Sequence, residues 1–297
     1  MHTPHHPERS PEKIPQATIR LELFRHDDKA KAKEGQTDQE VQLTEKGRKH
    51  ATEVGKGKNP QPKVGLAYGS RRIRSTETAL RQLLANENIG ENDSTEDIMN
   101  KIRGEIKMGR KNIESELLDF IMEGEYNKIA LTHFTEIKDF IPFLYEESDA
   151  LVRKFKDSKS TTYTRAAGDV ATLIKKYIKI LPRWDKLTKE KPEEYAKYGN
   201  ELQRFMGSHQ SIFECFLLKV AEKAEGPKGV ERVMALFPSK NGFGFSEGLT
   251  VRLIPKENEI AVEVTCKDQK WELTPKQIDE IIDEKDKLNQ ETISKSI

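Results

Sequence analysis

Residues 18 to 24, TIRLELF, alternate apolar and polar positions with the period of a two-faced strand. A polar loop, DDKAKAKEGQTDQEVQ, follows, and LTEKGRKHATEVGK (43 to 56) then opens a helix with Thr44 as N-cap. KVGLAY (63 to 68) reads as a second strand and GSRRIRSTETALRQLLANE as a helix capped by Ser70, with Ile73, Leu80, Leu83 and Leu84 on one face. From about 87 to 200 the pattern is mostly helical and charged, with segments near 95 to 108, 112 to 123, 134 to 157 and 163 to 181, and KLTKEKPEEYAKYGN reads as a loop. ELQRFMG (201 to 207) returns to strand character, and the helix SIFECFLLKVAEKAEG turns Ile212, Phe216 and Val220 inward. GLTVRLIPKENEIAVEVTC (248 to 266) alternates on either side of KENE as a hairpin. LTPKQIDEIIDEKDKL closes the pattern as a helix with Pro275 in its first turn.

Helices between the first three strands predict an α/β fold: a three-layer α/β/α sandwich with a mostly parallel mixed sheet, a helical cap insertion over 87 to 200, and a C-terminal β-hairpin plus helix. The folded domain is expected over 17 to 285, with residues 1 to 16 a disordered tail and 286 to 297 a frayed end. In an open sheet of this kind, sites form at the carboxyl ends of the strands.

Composition narrows the function classes. With 51 basic and 50 acidic residues in 297, net charge +1, no global field points to nucleic acid or an anionic membrane. The 35% hydrophobic content suffices for a core. No run approaches the ~18 apolar residues of a membrane span, and the leader MHTPHHPERSPEKIPQ lacks a signal peptide's apolar stretch, so a cytoplasmic protein is expected. His2, His5 and His6 of that leader have no fixed frame for a metal. Cys215 and Cys266 lie in apolar-periodic segments, as small hydrophobes of a reducing compartment do.

Three times an apolar strand gives way to a polar turn: LELF to RHDD, GLAY to GSRR, RFMG to SHQS. In a parallel arrangement these turns converge, gathering Arg25 and His26, then Arg71, Arg72 and Arg74, then Ser208 and His209. Arg74, in the first turn of its helix, leans back over the strand ends, where the helix N-terminus adds positive potential. Such a set forms a phosphate pocket.

The same residues carry a resemblance. FRHDD (24 to 28), LTEKG (43 to 47), Ser70-x-x-x-Arg74-x-x-x-Thr78-Ala79 and SHQS (208 to 211) resemble, in order and spacing over 17 to about 225, the motifs of the histidine phosphatase superfamily, also called phosphoglycerate-mutase-like. The resemblance implies a nucleophilic His26 that forms a phosphohistidine, with Arg25, Arg74 and His209 binding the phosphoryl group, Ser70 among the substrate-binding residues, and no metal or other cofactor. Imidazole near neutral pH and two-step covalent transfer suit this role.

The resemblance also implies a general acid. Gln210 follows His209, so the acid must come from IESELLDFIMEGEY, where Asp119 holds the matching place and Glu116 is the rival. His133, ending the strand-like KIALTH, competes for the role of second pocket histidine, but GSHQSIFECFLL fits the strand-turn-helix context better. His50 reads as a solvated helix residue. Asp27 and Arg71 depart from the family pattern and are expected at the pocket rim, bearing on substrate choice. Lys29, Lys31 and Lys33 could attract a polyanion. The expected partner is a phosphorylated small-molecule or protein substrate. A mutase-type phosphotransferase, a metal-dependent phosphohydrolase built on the His26-Asp27 doublet, and a non-catalytic phospho-ligand binder are the alternatives.

Overall fold

The computed structural model describes residues 16–104, 112–257 and 259–293. The expected disordered tail therefore lies, but for Gln16, outside the described residues, as does the far end of the helix expected to reach residue 108. In chain order the elements are β1 (Thr18–Arg25), α1 (Glu45–Gly57), β2 (Gly65–Gly69), α2 (Ile73–Leu83), α3 (Thr95–Gly104), β3 (Asn112–Glu114), α4 (Gly124–Thr132), α5 (Phe140–Phe143) and α6 (Asp149–Phe155). They continue as α7 (Tyr163–Glu190), α8 (Pro192–Tyr195), β4 (Glu201–Ser208), α9 (Ile212–Glu225), α10 (Pro227–Leu236), β5 (Gly248–Pro255), β6 (Ile260–Cys266), β7 (Gln269–Leu273) and α11 (Pro275–Thr292).

Among the described residues the strands form one sheet in the order β3-β2-β4-β1-β5-β6-β7. The α/β class stands, but the expected excess of parallel pairing does not: three pairings are parallel (β3-β2, β2-β4, β4-β1) and three antiparallel (β1-β5, β5-β6, β6-β7). Two short strands escaped the sequence reading, β3 because three residues carry no period and β7 because QKWEL runs straight on from the hairpin.

The alternation of β1 sorts its side chains to two cores. Ile19, Leu21 and Leu23 join the core that includes α7 and α9, while Phe24 joins Ala67, Phe205 and the Leu80, Leu83 and Leu84 face of α2. Ile73 is only half-buried and stands apart from that face. Ile212, Phe216 and Val220 are buried as expected. Thr44 caps α1 by accepting from Gly47 N, and Thr274 and Gln277 form a reciprocal capping box behind Pro275.

The helical middle is more than a cap. α7 runs to Glu190, well past the expected 181, because Leu181, Trp184 and Thr188 continue its buried stripe, and it packs with α9 and α11 as one covering layer. The expected loop after it is mostly helical. Residues 112 to 123, expected as a helix, form β3, a short 3-10 turn and an extended stretch. KIALTH is helix rather than strand, since Tyr126 and Ala130 are buried one helical turn apart. The fraying expected from 286 is not found up to Thr292: α11 stays helical, with Leu288 and Thr292 buried.

Candidate active site

The carboxyl ends of β1, β4 and β2 lie side by side, with Arg25 opposite Ser208 and Gly207 opposite Gly69. The N-terminus of α2 presses directly onto this edge. A Cβ at Gly207 would stand 2.2 Å from the Ser75 carbonyl oxygen, and one at Gly69 2.5 Å from Thr76 N. Glycine at both strand ends is what lets the helix bring Arg74 over them. The convergence expected from the sequence is therefore present in the register of the sheet.

His26, 6% exposed, faces a cavity of about 290 Å³ together with Arg25, Arg74 and His209. Its Nδ1 lies 2.7 Å from the Asp27 carbonyl oxygen, which can only accept, so Nδ1 carries the proton and Nε2 keeps its lone pair. Arg74 Nε donates to that Nε2 at 3.3 Å. Burial lowers the His26 pKa to about 3, against the pull of the Asp27 carbonyl and helped by the Arg74 and Arg25 charges, so the ring is neutral at ordinary pH. The His209 ring centroid is 5.3 Å away, and burial, with His26 second, holds this imidazole well below its ordinary value too.

Ser70 does not cap α2, whose N-cap is Arg72, and it does not line the cavity. It is fully buried, its Oγ 2.7 Å from His209 Nε2 while accepting from Arg72 N at 3.2 Å. Its place is behind the second histidine. Thr78 of the same motif accepts from Asp27 N at 3.1 Å and ties the β1 turn to α2.

Asp27 lies beneath the pocket rather than at its rim. Only 1% exposed, its carboxylate accepts from Ser246 Oγ (2.5 Å) and Asp28 N (2.7 Å) and pairs with His50 Nδ1 (2.7 Å). His50 is thus not simply solvated, although nearly half of its side chain is exposed. With His26 Nδ1 on a carbonyl and Asp27 turned the other way, the doublet presents no joint chelating edge. Asp28 in turn accepts from the Thr44 hydroxyl at 2.9 Å.

The cavity's carboxylate is one the sequence reading missed, Asp38 of the polar loop. Its Oδ2 accepts from Arg72 Nε (2.7 Å) and Arg74 Nη2 (3.0 Å), and Lys29 reaches Oδ1 (3.1 Å). Against the opposing push of partial burial, the Arg74 and Arg72 hydrogen bonds hold it well below the usual carboxylate range. An aspartate in a loop without hydrophobic period gives no signal of such a contact. Lys29 lines the same cavity, whereas Lys31 and Lys33 do not.

Asp119 follows a short turn that Ser208 Oγ pins by donating to the Leu118 carbonyl at 2.6 Å. Its Oδ1 accepts from Arg71 N at 2.8 Å, and burial raises its pKa against the Arg71 charge. It adjoins Phe120 of the cavity wall without lining the cavity itself. Glu116 is exposed and pairs with the Arg71 guanidinium. His133 does not line the cavity; it is stacked on Phe143 at 4.3 Å and bonded to Asp139 at 2.8 Å.

Below Arg25 lies a second group without a sequence signal, Glu214 in the first turn of α9. Fully buried, it accepts from Phe243 N at 2.8 Å, while Arg25 donates to the Phe243 carbonyl at 2.7 Å. Burial raises the Glu214 pKa to about 7. Cys215 and Cys266 are buried free thiols. Among the described residues no three His, Cys, Asp or Glu side chains gather as a metal site, and no helix is long and apolar enough to cross a membrane.

No protein-family model matches the chain, and no curated protein does. Solved structures do match. "Mycobacterial hydrolase 2" is 12% identical over 90% of this chain and 97% of its own, with a TM-score of 0.41. A putative phosphohistidine phosphatase SixA from Agrobacterium tumefaciens is 13% identical over 82% of this chain and 93% of its own, TM-score 0.33. A putative alpha-ribazole-5'-P phosphatase from Escherichia coli is 11% identical over 85% and 97%, TM-score 0.38. Each of these likenesses spans most of this chain, at 11–13% identity.

Proposed function

We propose that the protein is a phosphatase that hydrolyses a phosphate monoester through a phosphohistidine on His26. The observation that carries this reading is the fixed tautomer: a carbonyl holds the Nδ1 proton, and the Nε2 lone pair faces the Arg74 guanidinium in a cavity shared with Arg25 and His209. Nε2 attacks phosphorus as the ester P–O bond breaks, and the electron pair leaves on the alcohol oxygen. Arg25, Arg74 and His209 stabilise the charge on the phosphoryl oxygens. Asp119, beside Phe120 of the cavity wall and with a pKa that burial raises, passes a proton to the leaving oxygen through one water and then takes one back from the water that cleaves the P–N bond. Phosphate departs and Nε2 regains its lone pair.

The test is to trap an acid-labile phosphoenzyme and map the label. We expect label on His26, no label in His26→Ala, and a rate for that variant about 10⁴-fold lower or less. Undiminished turnover in His26→Ala sinks the proposal.

A further inference from the structure

The cavity that holds His26 has two unlike halves. One is cationic and imidazole-bearing, with Arg25, Arg72, Arg74, Lys29 and the two histidines. The other is apolar: Phe120, Met122, Phe134, Phe140 and Phe245. Phe140, 1% exposed, backs this wall, with Phe120 and Phe134 edge-on to it at centroid distances of 5.8 and 5.2 Å. Phe245 stands at the mouth, 40% exposed, 4.5 Å from the Arg25 guanidinium and 6.5 Å from the His26 ring. There it lines the same cavity as the four other apolar side chains and continues their face toward the cationic half.

The polar side chains of the lining do not suit a sugar. Asp38 is engaged by Arg72, Arg74 and Lys29, and apart from the histidines Gln210 is the one neutral polar side chain in the lining. Sugar hydroxyls buried against four phenylalanines and a methionine would lose their hydrogen bonds with water and find few in return. A flat ring would instead gain apolar burial and edge-to-face contacts. At about 290 Å³ the cavity is at the small end for ligand sites, the scale of a phosphoryl group with a ring rather than a large metabolite.

Resting on the phosphatase reading, we infer that the substrate is an aryl phosphomonoester, a phosphate carried on an aromatic ring that packs against the Phe120–Phe140 wall and Phe245. The chemistry balances as above, with a phenol as the departing alcohol. A phenolate leaves more easily than an alkoxide, so it relies less on Asp119, which lies outside the lining.

The test compares benzyl phosphate, cyclohexylmethyl phosphate and glucose 6-phosphate, all primary alkyl esters, so that leaving-group reactivity is similar and the wall is what differs. We expect kcat/KM for benzyl phosphate to exceed that for the cyclohexylmethyl ester several-fold and that for glucose 6-phosphate about 100-fold. Phe245→Ala, at an exposed position the core does not need, should lower the benzyl-to-glucose ratio about tenfold. Phenyl phosphate, free phosphotyrosine and a phosphotyrosyl peptide then separate the sources of the ring: efficient turnover of the first two marks a small molecule, and of the peptide alone a protein substrate, either supporting the inference. Glucose 6-phosphate turned over as fast as the benzyl ester, with label still trapped on His26, overturns the inference and leaves the phosphatase standing. No turnover and no label with any ester overturns both.

Discussion

His26, His209 and Arg74 stand on strand ends and a helix start whose positions are set by backbone register, whereas the aromatic wall opposite is carried on the irregular stretch 120 to 122, on the helical segments that hold Phe134 and Phe140, and on the loop before β5. The floor is over-determined. His26 is held by a neighbouring carbonyl and, through its own N–H, by the Ser208 carbonyl at 2.8 Å, and His209 by a buried serine. The side chains of the wall are held by packing, Phe120 and Phe134 against Phe140, while its backbone is tied by hydrogen bonds to Asn241 and Arg72. Packing tolerates exchange of one apolar group for another, but a reacting nitrogen misplaced by an ångström does not react. On the proposed reading, then, the floor fixes the chemistry and the wall makes the choice of substrate.

Three substitutions probe that division, beginning with the largest effect. Arg74→Ala removes a floor cation and should lower kcat/KM about 10³-fold, by the same factor for aryl and sugar phosphates alike. A loss that differed between the two classes would mean that the floor also selects. Ser70→Ala removes the hydroxyl behind His209, and kcat should fall about fivefold to tenfold, the worth of one hydrogen bond, with KM changed less than about twofold. An unchanged kcat would show that His209 is positioned without it.

The smallest effect concerns the support below the floor. The Glu214 carboxyl titrates at about 7 in the fold, against an ordinary 4.5. The folded state therefore holds this proton more tightly than the unfolded chain, so the group's stabilisation is complete below its unfolded value and is lost as pH rises through about 7. Glu214→Gln keeps a proton-bearing side chain at every pH. Its unfolding midpoint should decline less between about pH 6 and pH 9 than the parent's, by a few degrees for a change near 1 kcal/mol. Parallel declines would show that Glu214 does not titrate in this range. The sign is opposite at His26, where a depressed pKa gives stability that is complete above about 6.5 and lost as pH falls toward 3.

Much of this was legible from the chain because it is local. The alternation of β1, the cap at Thr44, the Pro275 start of α11 and the three polar strand ends each depend on residues a few positions apart, where side-chain period and backbone geometry fix the outcome. That brought Arg25, His26, Arg74 and His209 together on paper. Ser70 was found but misplaced, as a helix cap, because its true partner is His209, 139 positions away. Asp27 and His50 were misread for the same reason: the acid is buried because Ser246, 219 positions on, closes over it.

What the sequence determined by itself is thus the set of strand-end residues and the order in which they occur, since strand, turn and helix are written in short-range pattern. Only the tertiary structure decided which proton sits on which nitrogen of His26, that Asp38 lies on the arginines, that Glu214 is buried under Arg25, and that the wall is aromatic. These follow from contacts between segments far apart in the chain, and from the loss of water that burial imposes, neither of which leaves a period in the sequence.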